Sequence, residues 1–271
     1  MPVAAVNGIR LSYDDRGTGE PVVMIQGTGG SRTVWELHQV PALTDAGFRV
    51  ITLDNRGIPP TSECAEGFTL DAMVRDVAAL ITHLDLGPCR VIGTSLGAFV
   101  TQELALAHPE LLRQAVLMAT RARSDVLRSA ITESEIDLYD AGTELPPRYA
   151  AVVHALKSLS PRTLADDTAM ADWLDLFELI GPTGPGQRAQ MEVSKLGNRL
   201  AAYREIRVPC QVIAFADDLI TPPHLGREVA DAIPDASYEL IDGCGHYGYL
   251  EDPATVNETI VEYFTRALVA D

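Results

Sequence analysis

The stretch Arg90-Val91-Ile92-Gly93-Thr94-Ser95-Leu96-Gly97-Ala98-Phe99 places a serine inside Gly-x-Ser-x-Gly, between a β-branched apolar run and a helix-like pattern. That pattern reads as a strand, a tight turn and a helix, with Ser95 at the apex. Gly93 and Gly97 leave no side chain where the two backbones crowd, so Ser95 Oγ projects above the sheet. A serine at a helix N-terminus also lies beside free N–H groups, which favour developing negative charge. Its hydroxyl is a weak nucleophile until a base takes the proton, so the chemistry needs a histidine and a group that orients it. Two later loops hold candidates: Ala216-Asp217-Asp218-Leu219-Ile220-Thr221-Pro222 and Gly243-Cys244-Gly245-His246-Tyr247. An earlier loop, Gln26-Gly27-Thr28-Gly29-Gly30, is flexible enough for its main chain to approach a substrate. It is a poor phosphate loop, because no lysine follows its glycines in the Walker pattern.

These loops need a frame, and the apolar runs supply one. Residues 3–6 and 9–14 flank Asn7-Gly8, a type I′ turn signal, so the chain opens with an antiparallel pair. Residues 22–25 form a short continuous apolar run, as a strand buried on both faces would. A helix is predicted over about 33–46, a strand over 49–53, and a loop at Asp54-Asn55-Arg56-Gly57. Thr69 is a good N-cap for a helix that Gly87-Pro88 stops. The strand at 91–94, the helix at 96–107 and a strand at 115–119 follow.

The rhythm then breaks. From about 121 to 207 there is no convincing strand, only charged helical patterns, Pro146-Pro147, an amphipathic stretch at 173–180 and a Gly/Pro-rich loop at 181–186. Alternation resumes with a strand at 211–215, a helix at about 225–232 and a strand at 238–241. Asp252-Pro253 starts a terminal helix that runs to about Leu268. The order predicts an α/β fold, a mostly parallel sheet with helices on both faces. Residues 1–120 and 208–271 form the core, and 121–207 form a helical insertion over the strand ends. In such sheets the site lies beyond the carboxyl ends of the strands, where all four loops emerge.

Composition narrows the partners. At 271 residues the chain is long enough for one large domain with an insertion, and its formal charge of -17 argues against nucleic acid and anionic membrane surfaces. No basic segment followed by an apolar one opens the chain, and no apolar run approaches the roughly 20 residues that cross a bilayer. The four cysteines, Cys64, Cys89, Cys210 and Cys244, lack metal-like spacing, so a reduced cytoplasmic protein with no metal is expected. His38, His83, His108, His154 and His224 read as surface or helix-end residues.

Ser, Asp and His in that chain order, on loops after successive strands, resemble the α/β-hydrolase superfamily. The resemblance spans nearly the whole chain and implies an eight-stranded, mostly parallel sheet, with 121–207 in the place of the family's variable cap. It implies Ser95 as nucleophile and His246 as general base. Asp218 is implied as the acid, because Asp218 to Pro222 resembles the family's Asp-x-x-x-Pro loop; Asp217 is the adjacent alternative. The backbone N–H groups of Thr28 and Leu96 would form the oxyanion hole. Gln26-Gly27 stands where the family often has His-Gly, and Phe215 where a glycine is common. Asp54-Asn55-Arg56-Gly57 resembles the family's Asp-x-Arg-Gly turn, with Arg56 structural. Gln26, Gly27, Trp35, Trp173, Phe177 and Tyr247 are candidates for the pocket.

The implied activity is that of a cofactor-independent serine hydrolase. It would cleave a carboxylic ester, lactone, thioester or C–C bond of a small organic substrate through an acyl-enzyme. The same fold and triad also serve lyase, cyclase or acyl-transfer chemistry, and some members resemble small-molecule receptors that keep a triad. Oligomeric state and substrate identity do not follow from the sequence.

Overall fold

Every short apolar run anticipated above becomes a strand, buried on both faces in the middle of the sheet and partly exposed at its edges. The structure, a computed structural model, describes residues 2–179, 184–195 and 197–266. The strands are β1 (Val3–Val6), β2 (Ile9–Arg16), β3 (Glu20–Ile25), β4 (Phe48–Leu53), β5 (Cys89–Thr94), β6 (Leu112–Met118), β7 (Cys210–Phe215) and β8 (Ala236–Ile241). They form one eight-stranded sheet in the order β1-β2-β4-β3-β5-β6-β7-β8. β1 and β2 pair antiparallel across Asn7-Gly8, whose φ values of 43° and 77° suit the type I′ turn. β2 joins β4 antiparallel, and every pairing from β4 to β8 is parallel.

Helices α1 (Gln39–Asp45) and α12 (Pro253–Thr265) cover one face of the sheet. On the other lie α2 (Leu70–His83), α3 (Leu96–Ala107) and α10 (Pro223–Ala232). Between β6 and β7 the chain forms α4 (Val126–Asp140), α5 (Pro147–Ser158), α6 (Pro161–Leu164), α7 (Asp167–Leu179), α8 (Pro185–Val193) and α9 (Leu200–Tyr203), with no strand among the described residues. One further turn, α11 (Gly248–Glu251), precedes α12. No helix of the described residues is long and apolar enough to cross a membrane.

Several boundaries differ from the sequence reading, and two of the differences have a clear cause. The helix expected over 33–46 is a 3-10 turn at Arg32–Leu37 followed by α1, with a break at His38. Pro41 explains it: a proline has no N–H to donate to the carbonyl four residues back, so one helix cannot run through. β2 extends two residues beyond position 14 because Asp15 and Arg16 pair with Ile51 and Val50 of β4. The last helix is described as far as Thr265, and position 268 lies outside the described residues, as do 180–183.

The strand register sets the loops side by side. Ile25 pairs with Gly93, Gly93 with Leu117, and Phe215 with Ile241, so the loops after β3, β5, β7 and β8 leave one edge of the sheet. Arg56 braces that edge from outside. Its Nε and Nη2 donate to the two carboxylate oxygens of buried Asp76 on α2, at 2.8 and 2.6 Å, and Nη2 also reaches the Asn7 carbonyl at 3.3 Å. Removing the guanidinium would leave Asp76 buried without its counter-ion. Arg56→Ala should therefore lower the unfolding free energy by about 3–5 kcal/mol, read as a lower urea midpoint.

Candidate active site

The Ser95 turn is as tight as Gly-x-Ser-x-Gly requires. Ser95 has φ 53° and ψ −119°, outside the ordinary regions for a residue with a side chain. Its N–H donates to Met118 O at 3.0 Å, and its carbonyl accepts from Ala98 and Phe99, which starts α3. A Cβ on Gly97 would stand 2.1 Å from Ile25 O, and one on Gly93 2.3 Å from Gly97 O, so no larger residue fits either position. Gly27 faces the serine: a Cβ there would lie 3.0 Å from Ser95 Cβ and 3.6 Å from Oγ.

Of the two adjacent acids, Asp218 reaches His246. Its Oδ2 lies 2.8 Å from His246 Nδ1 and accepts from Thr221 Oγ1 at 2.6 Å. Oδ1 accepts the N–H groups of Ile220 and Thr221, both at 2.8 Å. The carboxylate is fully buried and His246 nearly so. A buried carboxylate with this many donors stays fixed, and the imidazole on it is held in one tautomer and one orientation. Asp217 instead donates its N–H to Cys244 O at 2.9 Å. Phe215 also acts here, because its ring fills the space a Cβ on Gly248 would need, packing β7 against the turn after His246.

The glycine loop after β3 is held from two sides. Asn55 Nδ2 donates to Gln26 O at 2.8 Å, and Gln26 Oε1 accepts from Gly27 N at 3.2 Å. From α8, Gln190 Oε1 accepts from Gly29 N at 2.9 Å while its Nε2 donates to Arg56 O at 2.8 Å. Thr28 Oγ1 lies 3.5 Å from Ser194 Oγ. The N–H groups of Thr28 and Leu96 donate to no acceptor among the described residues.

Over His246 lies an aromatic cluster. Tyr247 stacks on Trp173 at 6.2 Å with an 8° interplanar angle, and Phe177 lies 5.3 Å from Trp173. His154, expected at the surface, belongs to this cluster: it is 2.9 Å from Tyr247 Oη and 4.5 Å from the Phe177 ring. Its neighbours Ala151 and Ala155 on α5 are buried, a spacing of the kind that marks a helix face turned inward. Trp35, expected among the pocket walls, joins this cluster through the Tyr249 ring, which lies 6.2 Å from Tyr247. It is fully buried in the core against Tyr249 at 5.1 Å, because the 3-10 turn points it into the sheet. Glu251, which the sequence did not mark, joins the His246 loop to α6. Oε2 accepts from Gly245 N at 2.6 Å, and Oε1 accepts from Ser160 N, Ser160 Oγ and Thr163 Oγ1 at 2.6–2.9 Å.

A family model described as the alpha/beta hydrolase fold matches residues 20–253. The chain belongs to the α/β-hydrolase family. It is a hydrolase of that fold, and its relatives carry several activity names. A Mycobacterium tuberculosis protein with the provisional name non-heme bromoperoxidase BpoC is 52% identical over 258 residues, covering 94% of this chain and 98% of that one. Its crystal structure superposes with a TM-score of 0.91, covering 94% and 95% of the two chains at 50% identity. The enol-lactonase of Burkholderia xenovorans LB400 superposes at 0.81 with 25% identity, covering 98% of this chain and all of the other. A Variovorax paradoxus protein provisionally named carbamate hydrolase RutD is 27% identical, covering 94% and 96%.

Burial pushes the His154 imidazole down from 6.5 to about 4, with the Lys157 charge adding to the effect. The unfolded chain therefore binds a proton between these values that the folded one refuses, so stability falls as pH drops through the window. The loss attributable to this group is on the order of 2–3 kcal/mol. His154→Gln keeps a polar partner for Tyr247 without the charge. It should flatten the slope of stability against pH between about 6.5 and 4, measured as unfolding midpoints for both proteins.

Proposed function

We propose that this protein is a cofactor-independent serine hydrolase of small carbonyl substrates, with Ser95, His246 and Asp218 as its triad. The observation that carries the reading is the buried Asp218–His246 pair on the sheet edge from which the strained Ser95 turn also rises. His246 takes the Ser95 proton as Oγ attacks the carbonyl carbon, and the amides of Thr28 and Leu96 stabilise the resulting oxyanion. The protonated imidazole then gives its proton to the leaving group, and an acyl ester on Ser95 remains. Water, deprotonated by the same imidazole, releases the acid and restores the serine. Asp218 keeps the Nδ1 proton where the cycle needs it. Gln26 in place of histidine leaves the mechanism intact, since the oxyanion donors are backbone groups.

Carboxylic esters and lactones are the favoured substrates. The enol-lactonase name of one structural neighbour supports this, as does the carbamate hydrolase name of one relative, since both name an acyl transfer to water. The helices between β6 and β7 act as a cap, with Trp173, Phe177, His154 and Tyr247 forming an apolar wall beside His246. Such a wall suits a small organic substrate with apolar surface. The four cysteines are all free thiols, which fits a cytoplasmic enzyme.

A fluorophosphonate probe followed by intact-mass measurement tests the assignment. Wild type should gain one adduct, and Ser95→Ala none. Asp218→Asn, which fixes the wrong tautomer, should lower kcat for 4-nitrophenyl butyrate by about 10³–10⁴-fold with the fold unchanged. An adduct that persists in Ser95→Ala would remove Ser95 from the role of nucleophile.

A further inference from the structure

The Thr28 amide belongs to a tight turn. Gly30 N donates to Gly27 O at 3.1 Å, which makes Thr28 and Gly29 the central residues of a four-residue turn. Gly29 has a φ of 73° and Thr28 does not share that positive sign, which is the pattern of a type II turn. The Gly27 carbonyl and the Thr28 N–H share one trans peptide and point opposite ways, so the bond from Gly30 turns the Thr28 N–H outward. Gly27 itself lies against the serine, where an added Cβ would stand 3.0 Å from Ser95 Cβ.

Part of this turn is anchored from the core. Asn55 Nδ2 holds Gln26 O at 2.8 Å and Gln26 Oε1 accepts from Gly27 N at 3.2 Å, so the peptide between Gln26 and Gly27 is fixed. The central peptide, Thr28 to Gly29, is held differently. Its carbonyl accepts from no donor among the described residues, and its N–H donates to Gln190 Oε1 at 2.9 Å. Type I and type II turns differ by a flip of this one peptide, so an acceptor for the Gly29 amide selects between them. Gln190 is fully buried on α8, and its Nε2 donates to Arg56 O at 2.8 Å. The two bonds fix which way the side-chain amide lies, since an N–H can meet only its oxygen and a carbonyl only its nitrogen. The helix is seated closely. A Cβ on Gly186 would stand 2.0 Å from Gly57 O, and one on Gly29 2.7 Å from Gln187 Nε2.

We propose that Gln190 is a positioning residue of the oxyanion hole, through which a helix between β6 and β7 orients the Thr28 amide. Oxyanion donors act because they are aimed before charge develops, and a donor that must reorient during the reaction loses most of its effect. With Gln190 removed, the Thr28–Gly29 peptide is free to flip, and Thr28 no longer holds its amide in one direction. The Leu96 amide is untouched, because it stands at the start of α3 in the core. The hole would then keep one aimed donor of two. Gln190 itself meets no reacting atom and acts only through the turn. Nucleophile, base and acid thus stand on loops of the sheet, while α8 completes the hole. The proposal rests on the serine-hydrolase reading, and the two fail in different ways.

Wild type, Gln190→Met and Gln190→Asn are compared on 4-nitrophenyl butyrate. Methionine fills a similar volume without either hydrogen bond, and asparagine keeps the amide but shortens its reach, so it serves if the methionine variant does not fold. Both should lower kcat by about 10–100-fold with KM within about threefold, because the lost interaction belongs to the transition state. Inhibition gives a second readout that a loosened fold would not reproduce. A trifluoromethyl butyl ketone becomes an oxyanion when Ser95 adds to its carbonyl, whereas the matching secondary alcohol has no carbonyl to attack. Gln190→Met should weaken the ketone by the same factor as kcat/KM and leave the alcohol within about twofold. An active wild type with kcat within about twofold in the variants, or equal weakening of ketone and alcohol, would overturn the role of Gln190. A wild type that neither cleaves the ester nor binds the ketone more tightly than the alcohol would remove the serine-hydrolase reading, and this proposal with it.

Discussion

The constraint on which the site depends is the contact of main chain with main chain at Gly97. The helix that follows Ser95 crosses the end of β3 so closely that a single added carbon would meet the Ile25 carbonyl at 2.1 Å. That approach sets α3 against the sheet, holds Ser95 in a conformation it would not adopt freely, and brings Gly27 against its side chain. Other parts of the site are placed by reference to it. The loop after β3 must pass over the serine, and the loops after β7 and β8 emerge two and three strands away on the same edge. The strain at Ser95 persists because its amide and carbonyl are both bonded to fixed backbone, in β6 and α3.

Much of this was legible in the string because it rests on local rules. Short apolar runs must be buried strands, Asn7-Gly8 must turn, Thr69 and Asp252 cap the helices that follow them, and glycines mark where backbones touch. The loops carrying Ser95, Asp218 and His246 could be placed at the strand ends by counting alternation alone. Between Asp217 and Asp218 the string could not decide. The outcome depends on the turn at Ile220 and Thr221, whose N–H groups both point to Asp218.

What stayed hidden depends on contacts between distant segments. His154 looks like a polar residue on a helix until α7 and the His246 loop close around it. Gln190 gives no sign that it bridges the glycine loop to the Arg56 carbonyl. Trp35 sits near the glycine loop in sequence, yet the break at His38 turns it into the core. Arg121 reads as an ordinary charge of a helical segment, and only the fold shows it fully buried over the Phe99 ring.

Glu251 has a consequence for the way the molecule can move. One carboxylate takes hydrogen bonds from the start of α6 through one oxygen and from Gly245 through the other. Any outward swing of α6 that keeps those bonds drags Gly245 with it, and so draws the neighbouring imidazole away from Asp218. One side chain thus ties the position of α6 to the position of the imidazole.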